Sequence, residues 1–221
     1  MSAQACGARA APPAASEPAR RRWRAAPACT LVVAANLVVF AFERALAIFA
    51  PHVGTEAWLW NTPPLVTGRL WLWQLVTASF VHAGLVHLGV NLFFVAWLGP
   101  RLEASLGSLR FALFYLAAGV FAYGFYDVSA LALGDARTTG GASANVLALV
   151  TLHVLRFPDY VVPLYGVLRV PLGWILLLFV ISDASSLAFE ETAWVNNLVH
   201  LGGIAFALAY WILLERRRAA G

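Results

Sequence analysis

The chain has 221 residues, of which 61% are hydrophobic and only 12% are charged, and its mean hydropathy is +0.75. These values exclude an ordinary soluble domain, in which about a quarter of the residues are charged, and they indicate an integral membrane protein. The positive charges all come from arginine, and we interpret the net charge of +4 first as a signal of membrane topology.

Apolar runs of about 17 to 25 residues predict six membrane-spanning helices. They cover roughly residues 27–50, 79–99, 110–128, 140–157, 167–188 and 194–214. The expected fold class is an all-α polytopic membrane protein with a six-helix membrane domain at 27–214. A disordered basic cytoplasmic tail at 1–26 precedes this domain, and a short basic cytoplasmic tail at 215–221 follows it. The first tail is also compatible with an organelle transit peptide, because such peptides are rich in arginine and poor in acidic residues.

The arginines are distributed unevenly between the two sides that six alternating spans define. One side holds only Arg69 and Arg137. The other side holds Arg9, Arg20, Arg21, Arg22, Arg24, Arg101, Arg110, Arg156, Arg169, Arg216, Arg217 and Arg218. Because short arginine-rich loops stay in the cytoplasm, this bias predicts that both termini are cytoplasmic. The external side then carries a Trp-rich segment at 58–73 and an acidic last loop containing Asp183, Glu190 and Glu191.

Polar side chains in the second, fourth and sixth spans are predicted to share one depth. These spans run from the outside to the inside, so their N-terminal ends lie near the outer surface. Ser143 comes about four residues into the fourth span and His200 about six residues into the sixth, roughly 6–10 Å below the surface. His82, His87 and Asn91 come early in the second span. The spacing of His87 and Asn91 puts these two residues on one helix face.

Acyl transfer is the chemistry that uses a hydroxyl, a histidine and hydrogen-bond donors at one depth. A serine nucleophile needs a base that takes its proton, and the oxyanion that forms needs donors already in place. Gly140 and Gly141 precede Ser143 in "TTGGASANVL", where glycine permits a tight turn and a close approach of substrate. The free N–H groups at that helix end add positive charge. A serine in a membrane helix is more often a small packing residue, so Ser143 alone proves little.

Four short motifs together resemble the rhomboid intramembrane serine proteases. They lie in "WQLVTASFVHAGLVHLGVN", "GPRLEASLG", "GAS" and "VHLGG", in the family's order over roughly residues 70–210. The residues that carry the resemblance are Trp73, Thr77, Phe80, His82, His87, Asn91, Gly99, Glu103, Gly107, Gly141, Ala142, Ser143, His200, Gly202 and Gly203.

The resemblance implies a six-transmembrane-helix rhomboid-like bundle with a catalytic dyad of Ser143 and His200 and no acid. It further implies that His87, Asn91 and backbone N–H groups form the oxyanion hole. It implies no metal and no cofactor. The supporting motif residues are Gly141, Ala142, His82, Gly203 and Glu103. Expected partners are transmembrane protein substrates and the lipid bilayer, without nucleic acid.

Four positions depart from the family pattern. Three of them add methyl groups where the fourth and sixth spans meet, a contact at which small residues permit close approach. The departures are Gln74 in place of Arg, Ala144 in place of Gly, Val199 in place of Ala and Ala207 in place of Gly.

The predicted activity is hydrolysis of peptide bonds in or near transmembrane segments, on the extracytoplasmic side of what we expect to be a bacterial inner membrane. One alternative is a catalytically silent rhomboid-like protein that binds membrane clients, against which the intact Ser143, His200, His87 and Asn91 argue. Another is a transporter, whose polar residues would line a path through the membrane. Here the cluster lies near one face only.

Overall fold

The computed structural model describes residues 26–134, 137–164, 168–189 and 194–215, and most of them are helical. Apart from Ala26 and Glu215, the two predicted tails lie outside the described residues, as do Glu190 and Glu191. In chain order the helices are α1 (Pro27–Phe49), α2 (Glu56–Leu59), α3 (Pro63–Arg69), α4 (Gln74–Thr77), α5 (Leu85–Leu106), α6 (Ser108–Leu133), α7 (Ser143–Arg156), α8 (Leu172–Phe189) and α9 (Trp194–Tyr210), with a π-helical turn at Trp211–Glu215.

Four described segments are long and apolar enough to cross a membrane. They are α1, α5, α6 and Asn197–Leu214, which combines most of α9 with the turn that follows it. Helices α7 and α8 are apolar but provide shorter segments, Ser143–Arg156 and Leu172–Ser185. The polytopic helical bundle is therefore confirmed as the fold class, while the count of six complete spans stays a prediction.

Two predicted span starts are wrong because backbone conformation, and not hydropathy, sets where these helices begin. Gly84 is extended, so α5 begins at Leu85 and His82 lies in the connection before the helix. Gly141 has φ +143°, which no α-helix continues. Ser143 is therefore the first residue of α7 and not the fourth residue of a span.

A short β-hairpin delays the start of the fifth span. Strand β1 (Val161–Leu164) pairs antiparallel with β2 (Leu168–Pro171), with Val162 opposite Val170, and α8 begins only at Leu172. Because α8 then continues to Phe189, Asp183 is helical and buried. The assignment of Asp183 to an acidic external loop was wrong.

Helix α7 is the centre of the bundle. Every residue from Ala144 to His153 is buried, and the helix packs against α5, α6, α8 and α9. Its 14 residues span about 21 Å at 1.5 Å per residue, whereas the hydrocarbon core of a bilayer is about 30 Å thick. A helix this short leaves room for a cavity at one of its ends.

Glu103 attaches the start of α1 to α5. Its Oε1 accepts a hydrogen bond from the Ala28 N–H at 2.9 Å, and its Oε2 accepts one from the Cys29 N–H at 2.7 Å. The first N–H groups of a helix have no carbonyl partner in that helix, and in lipid each unsatisfied group costs several kcal/mol. Gly99, one turn earlier, faces Cys29, because an added Cβ would lie 2.6 Å from the Cys29 Sγ. Gly99 and Glu103 therefore fix the contact between α1 and α5.

The connection between α1 and α5 includes the Trp-rich segment and contains three short helices, α2 to α4. The rings of Trp58 and Trp71 stack with centroids 5.1 Å apart, and Trp73 stacks on Trp71 at 5.0 Å. Asn61 and Thr139 exchange two backbone hydrogen bonds of 2.9 Å each. This bridge attaches the segment to the loop that precedes Ser143.

Candidate active site

The structure brings Ser143 and His200 together at the N-terminal end of α7. His200 Nε2 lies 2.8 Å from Ser143 Oγ, although 57 residues separate the two in sequence. Ser143 opens α7 and His200 lies in the second turn of α9. This is hydrogen-bond contact between a hydroxyl and an imidazole, the geometry that a serine nucleophile and its base require.

Small residues let α9 approach α7 and α6 at this level. A Cβ added at Gly203 would lie 2.9 Å from the carbonyl carbon of Ala144, and one added at Gly202 would lie 2.8 Å from the Cα of Ala122. The contact of 2.8 Å between Ser143 and His200 is reached with the extra methyl groups present. Those methyl groups belong to the buried Ala144, Val199 and Ala207.

The backbone of the loop before Ser143 makes hydrogen bonds to residues outside the loop. The Gly141 N–H donates to the Ala78 carbonyl at 2.8 Å, and the Gly141 carbonyl accepts from the Tyr123 hydroxyl at 2.7 Å. The φ of +143° at Gly141 lies in a region that side chains disfavour. A Cβ there would also lie 2.6 Å from the His87 Cε1. Both observations require glycine at this position.

His82 supports the same loop from the other side. Its Nδ1 lies 3.3 Å from the Phe80 carbonyl oxygen, and its Nε2 lies 3.5 Å from the Ala142 N–H nitrogen. Its ring meets the ring of His87 edge to face, with centroids 5.0 Å apart. His82 is completely buried, and both of its ring nitrogens lie near backbone groups.

Ser143, His200, His87 and Asn91 all line one cavity of about 210 Å³. The Asn91 amide donates to the His87 carbonyl at 3.0 Å, a bond within its own helix, and it carries a second hydrogen that this bond does not use. The first N–H groups of α7 also lie at this end of the helix. The remaining lining is mostly apolar and includes Val90, Phe94, Val146, Leu147, Val150, Phe179 and Val199.

Two polar residues at the site escaped the sequence analysis. Asp183 Oδ2 lies 3.0 Å from His200 Nδ1, and Asp183 is only 8% exposed. The Tyr123 hydroxyl lies within hydrogen-bond distance of two carbonyls, those of Ala78 and Gly141. A carboxylate inside an apolar run is costly unless it has a partner. The position of Asp183 inside an apolar run was therefore the sequence feature that could have indicated a buried partner.

The profile of the Rhomboid domain matches residues 69–217, a range that contains all four candidate residues. RHOMBOID-like protein 6, mitochondrial, of Arabidopsis thaliana is 33% identical over 148 residues, which cover 65% of this chain and 44% of that protein. Rhomboid-type serine protease 2 of Emericella nidulans is 28% identical over 144 residues, with coverages of 65% and 27%.

A human relative gives a similar match. Rhomboid-related protein 3 of Homo sapiens is 28% identical over 156 residues, which cover 67% of this chain and 38% of that protein. The matched regions make up less than half of the length of each of these three relatives.

Proposed function

The chain belongs to the rhomboid family, and on this premise we propose that it is an intramembrane serine protease. Its substrates are other membrane proteins, which it cleaves in or near a transmembrane segment. The observation that carries the proposal is the 2.8 Å contact between Ser143 Oγ and His200 Nε2 in a cavity that His87 and Asn91 also line.

In the proposed mechanism, Ser143 Oγ attacks the carbonyl carbon of the scissile bond while its proton passes to His200 Nε2. The Ser143 N–H, His87 and Asn91 stabilise the oxyanion that develops. In soluble serine proteases one such donor contributes about 3–4 kcal/mol to transition-state stabilisation. The C–N bond then breaks as His200 returns the proton to the leaving amine, and water hydrolyses the acyl-enzyme by the same route.

The proposed site faces the extracytoplasmic side. Ser143 lies at the N-terminal end of α7, whereas Arg101 and Arg156 lie at its C-terminal end. The Arg101 guanidinium is 4.2 Å from the centroid of Phe157, and Arg156 Nη2 donates to the Ser105 carbonyl at 3.0 Å. Since arginine-rich ends stay in the cytoplasm, this arrangement supports cytoplasmic termini and an extracytoplasmic Ser143.

The protein is an integral membrane protein. A bacterial inner membrane stays a prediction. The relatives named above come from a plant, a fungus and a human, and one carries a mitochondrial name.

The test compares the parent protein with Ser143→Ala and His200→Ala in detergent, using an active-site fluorophosphonate probe and a panel of transmembrane substrates. We expect the parent to be labelled and to cleave a substrate, and both variants to lose labelling and cleavage. Ser185→Ala is the matched control, because it removes an exposed hydroxyl of α8 that donates to the Ser182 carbonyl of the same helix, and it should behave like the parent.

Two results would overturn the proposal. One is near-parent cleavage by Ser143→Ala. The other is a folded parent that binds membrane clients but neither reacts with the probe nor cuts any substrate, which would favour the catalytically silent alternative.

A further inference from the structure

His200 makes polar contacts through both of its ring nitrogens. Nε2 lies 2.8 Å from Ser143 Oγ, and Nδ1 lies 3.0 Å from Asp183 Oδ2. These three side chains come from three different helices, α7, α8 and α9. The imidazole is therefore held between a hydroxyl on one side and a carboxylate on the other.

We infer that Asp183 is a positioning residue that fixes the orientation and the tautomer of His200 for reaction with Ser143. The inference rests on the proposed function. It adds a third residue to the site, whereas the family resemblance implied a dyad of Ser143 and His200 with no acid.

The hydrogen-bonding capacity of each group selects one tautomer of His200. An ionised carboxylate only accepts hydrogen bonds, and a neutral imidazole carries a hydrogen on one nitrogen. A hydrogen on Nδ1 therefore satisfies Asp183 and leaves the Nε2 lone pair free to accept the Ser143 proton. The opposite tautomer would turn a lone pair towards the carboxylate and leave Nε2 without the capacity to act as a base.

The environment strengthens this preference. Asp183 is 8% exposed and lies on a helix of an integral membrane protein, where an unpaired carboxylate is expensive. The Asn197 amide donates to the main-chain carbonyl of Asp183 at 2.9 Å, which holds α8 and α9 in register beside His200. When the Ser143 proton reaches Nε2, the positive imidazolium forms directly beside the Asp183 carboxylate. Attraction at this distance stabilises that state.

Asp183→Asn is the central variant, because it keeps the volume and the main-chain carbonyl but can donate a hydrogen bond to Nδ1 and select the wrong tautomer. We expect kcat to fall by about 10²–10⁴-fold, with KM nearly unchanged, by analogy with the same substitution in a soluble serine protease. Asp183→Glu should recover part of the lost rate, because it restores an acceptor. Ser185→Ala, two residues along α8, is the control with parent kinetics.

A structural role for Asp183 would give a different pattern. Asn197→Ala removes a second hydrogen bond between the described parts of α8 and α9, so it reports the effect of loosening these helices alone. If packing explained Asp183, Asp183→Asn and Asn197→Ala would lower the unfolding temperature and kcat in parallel. Loss of rate in Asp183→Asn at an unchanged unfolding temperature supports the inference, and parent kcat in this variant overturns it.

A second measurement needs no activity. Proton NMR of the parent, with histidine labelled by ¹⁵N, should show a strongly deshielded Nδ1–H resonance that disappears in both His200→Ala and Asp183→Asn but persists in Ser143→Ala. If the parent is catalytically silent, this resonance still tests the contact. Its persistence in Asp183→Asn, or its absence from the parent, overturns the inference, whereas the proposed function fails by loss of probe labelling in the parent.

Discussion

Replacing Gly141 by alanine tests whether the backbone before Ser143 sets the geometry of the site. The φ of +143° there would strain any residue with a side chain, at a typical cost of about 1–3 kcal/mol. The new Cβ would also lie 2.6 Å from the His87 Cε1, whereas carbon atoms pack at about 3.5–4.0 Å. His87 or the loop must therefore move by about 1 Å.

A displacement of this size in an active site costs about 10²-fold in rate. We therefore expect Gly141→Ala to lower kcat by about 10²-fold or more and to lower the free energy of unfolding by about 1–3 kcal/mol. Steady-state cleavage, the fluorophosphonate labelling rate and thermal unfolding measure these effects. Gly124→Ala is the control, because it lies within α6 and an added Cβ meets nothing within 4 Å. Parent kcat and parent stability in Gly141→Ala would refute the reasoning.

Two further predictions concern the oxyanion donors and the topology. Asn91→Ala, and similarly His87→Ala, should lower kcat by about 10²–10³-fold with little change in KM. If Asn91 only packs the helices, Asn91→Ala would instead lower the free energy of unfolding by about 1 kcal/mol. Measuring kcat and the unfolding temperature on the same variant separates these two outcomes. A reporter fused after Gly221 should read as cytoplasmic and one inserted after Gly134 as external, and the opposite readings would place Ser143 near the inner face.

The helical framework could be predicted from hydropathy, because lipid leaves the backbone few alternatives to helices. The apolar runs that begin near Pro27 and Ser108 correspond to α1 and α6. Counting residues from the end of each apolar run also indicated that Ser143 and His200 lie at a similar depth and could meet. This estimate tolerates an error of a few residues, because each residue shifts a helix end by only about 1.5 Å.

The helix starts at the site could not be predicted from hydropathy, because transfer free energy does not report backbone conformation. Residues 79–84 fall within the predicted second span, yet they form the connection before α5 and hold His82 against the loop at Ala142. Irregular backbone at this depth is tolerated where protein buries it, and Ser79, Val81 and His82 are all buried. Local sequence carries no direct signal of that burial.

Asp183 shows the same limit for a side chain. A charged residue near the end of an apolar run is normally interpreted as the start of a loop, because charge in lipid is expensive. Here the cost is met by a partner 17 residues away on another helix, His200. The partner is identified only once α8 and α9 are packed together, and no periodicity within either helix encodes that packing.

The short central helix unites these features of the proposed site. Protein surrounds α7 from Ala144 to His153, and Ser143 at its N-terminal end lines a cavity. In hydrocarbon the free N–H groups of its first turn would each cost several kcal/mol. In the cavity the same N–H groups can donate hydrogen bonds to water in the resting protein and, in the proposed mechanism, to the oxyanion. A helix too short to fill the membrane is thus the feature that allows water, Ser143 and unpaired backbone donors to share one protected site.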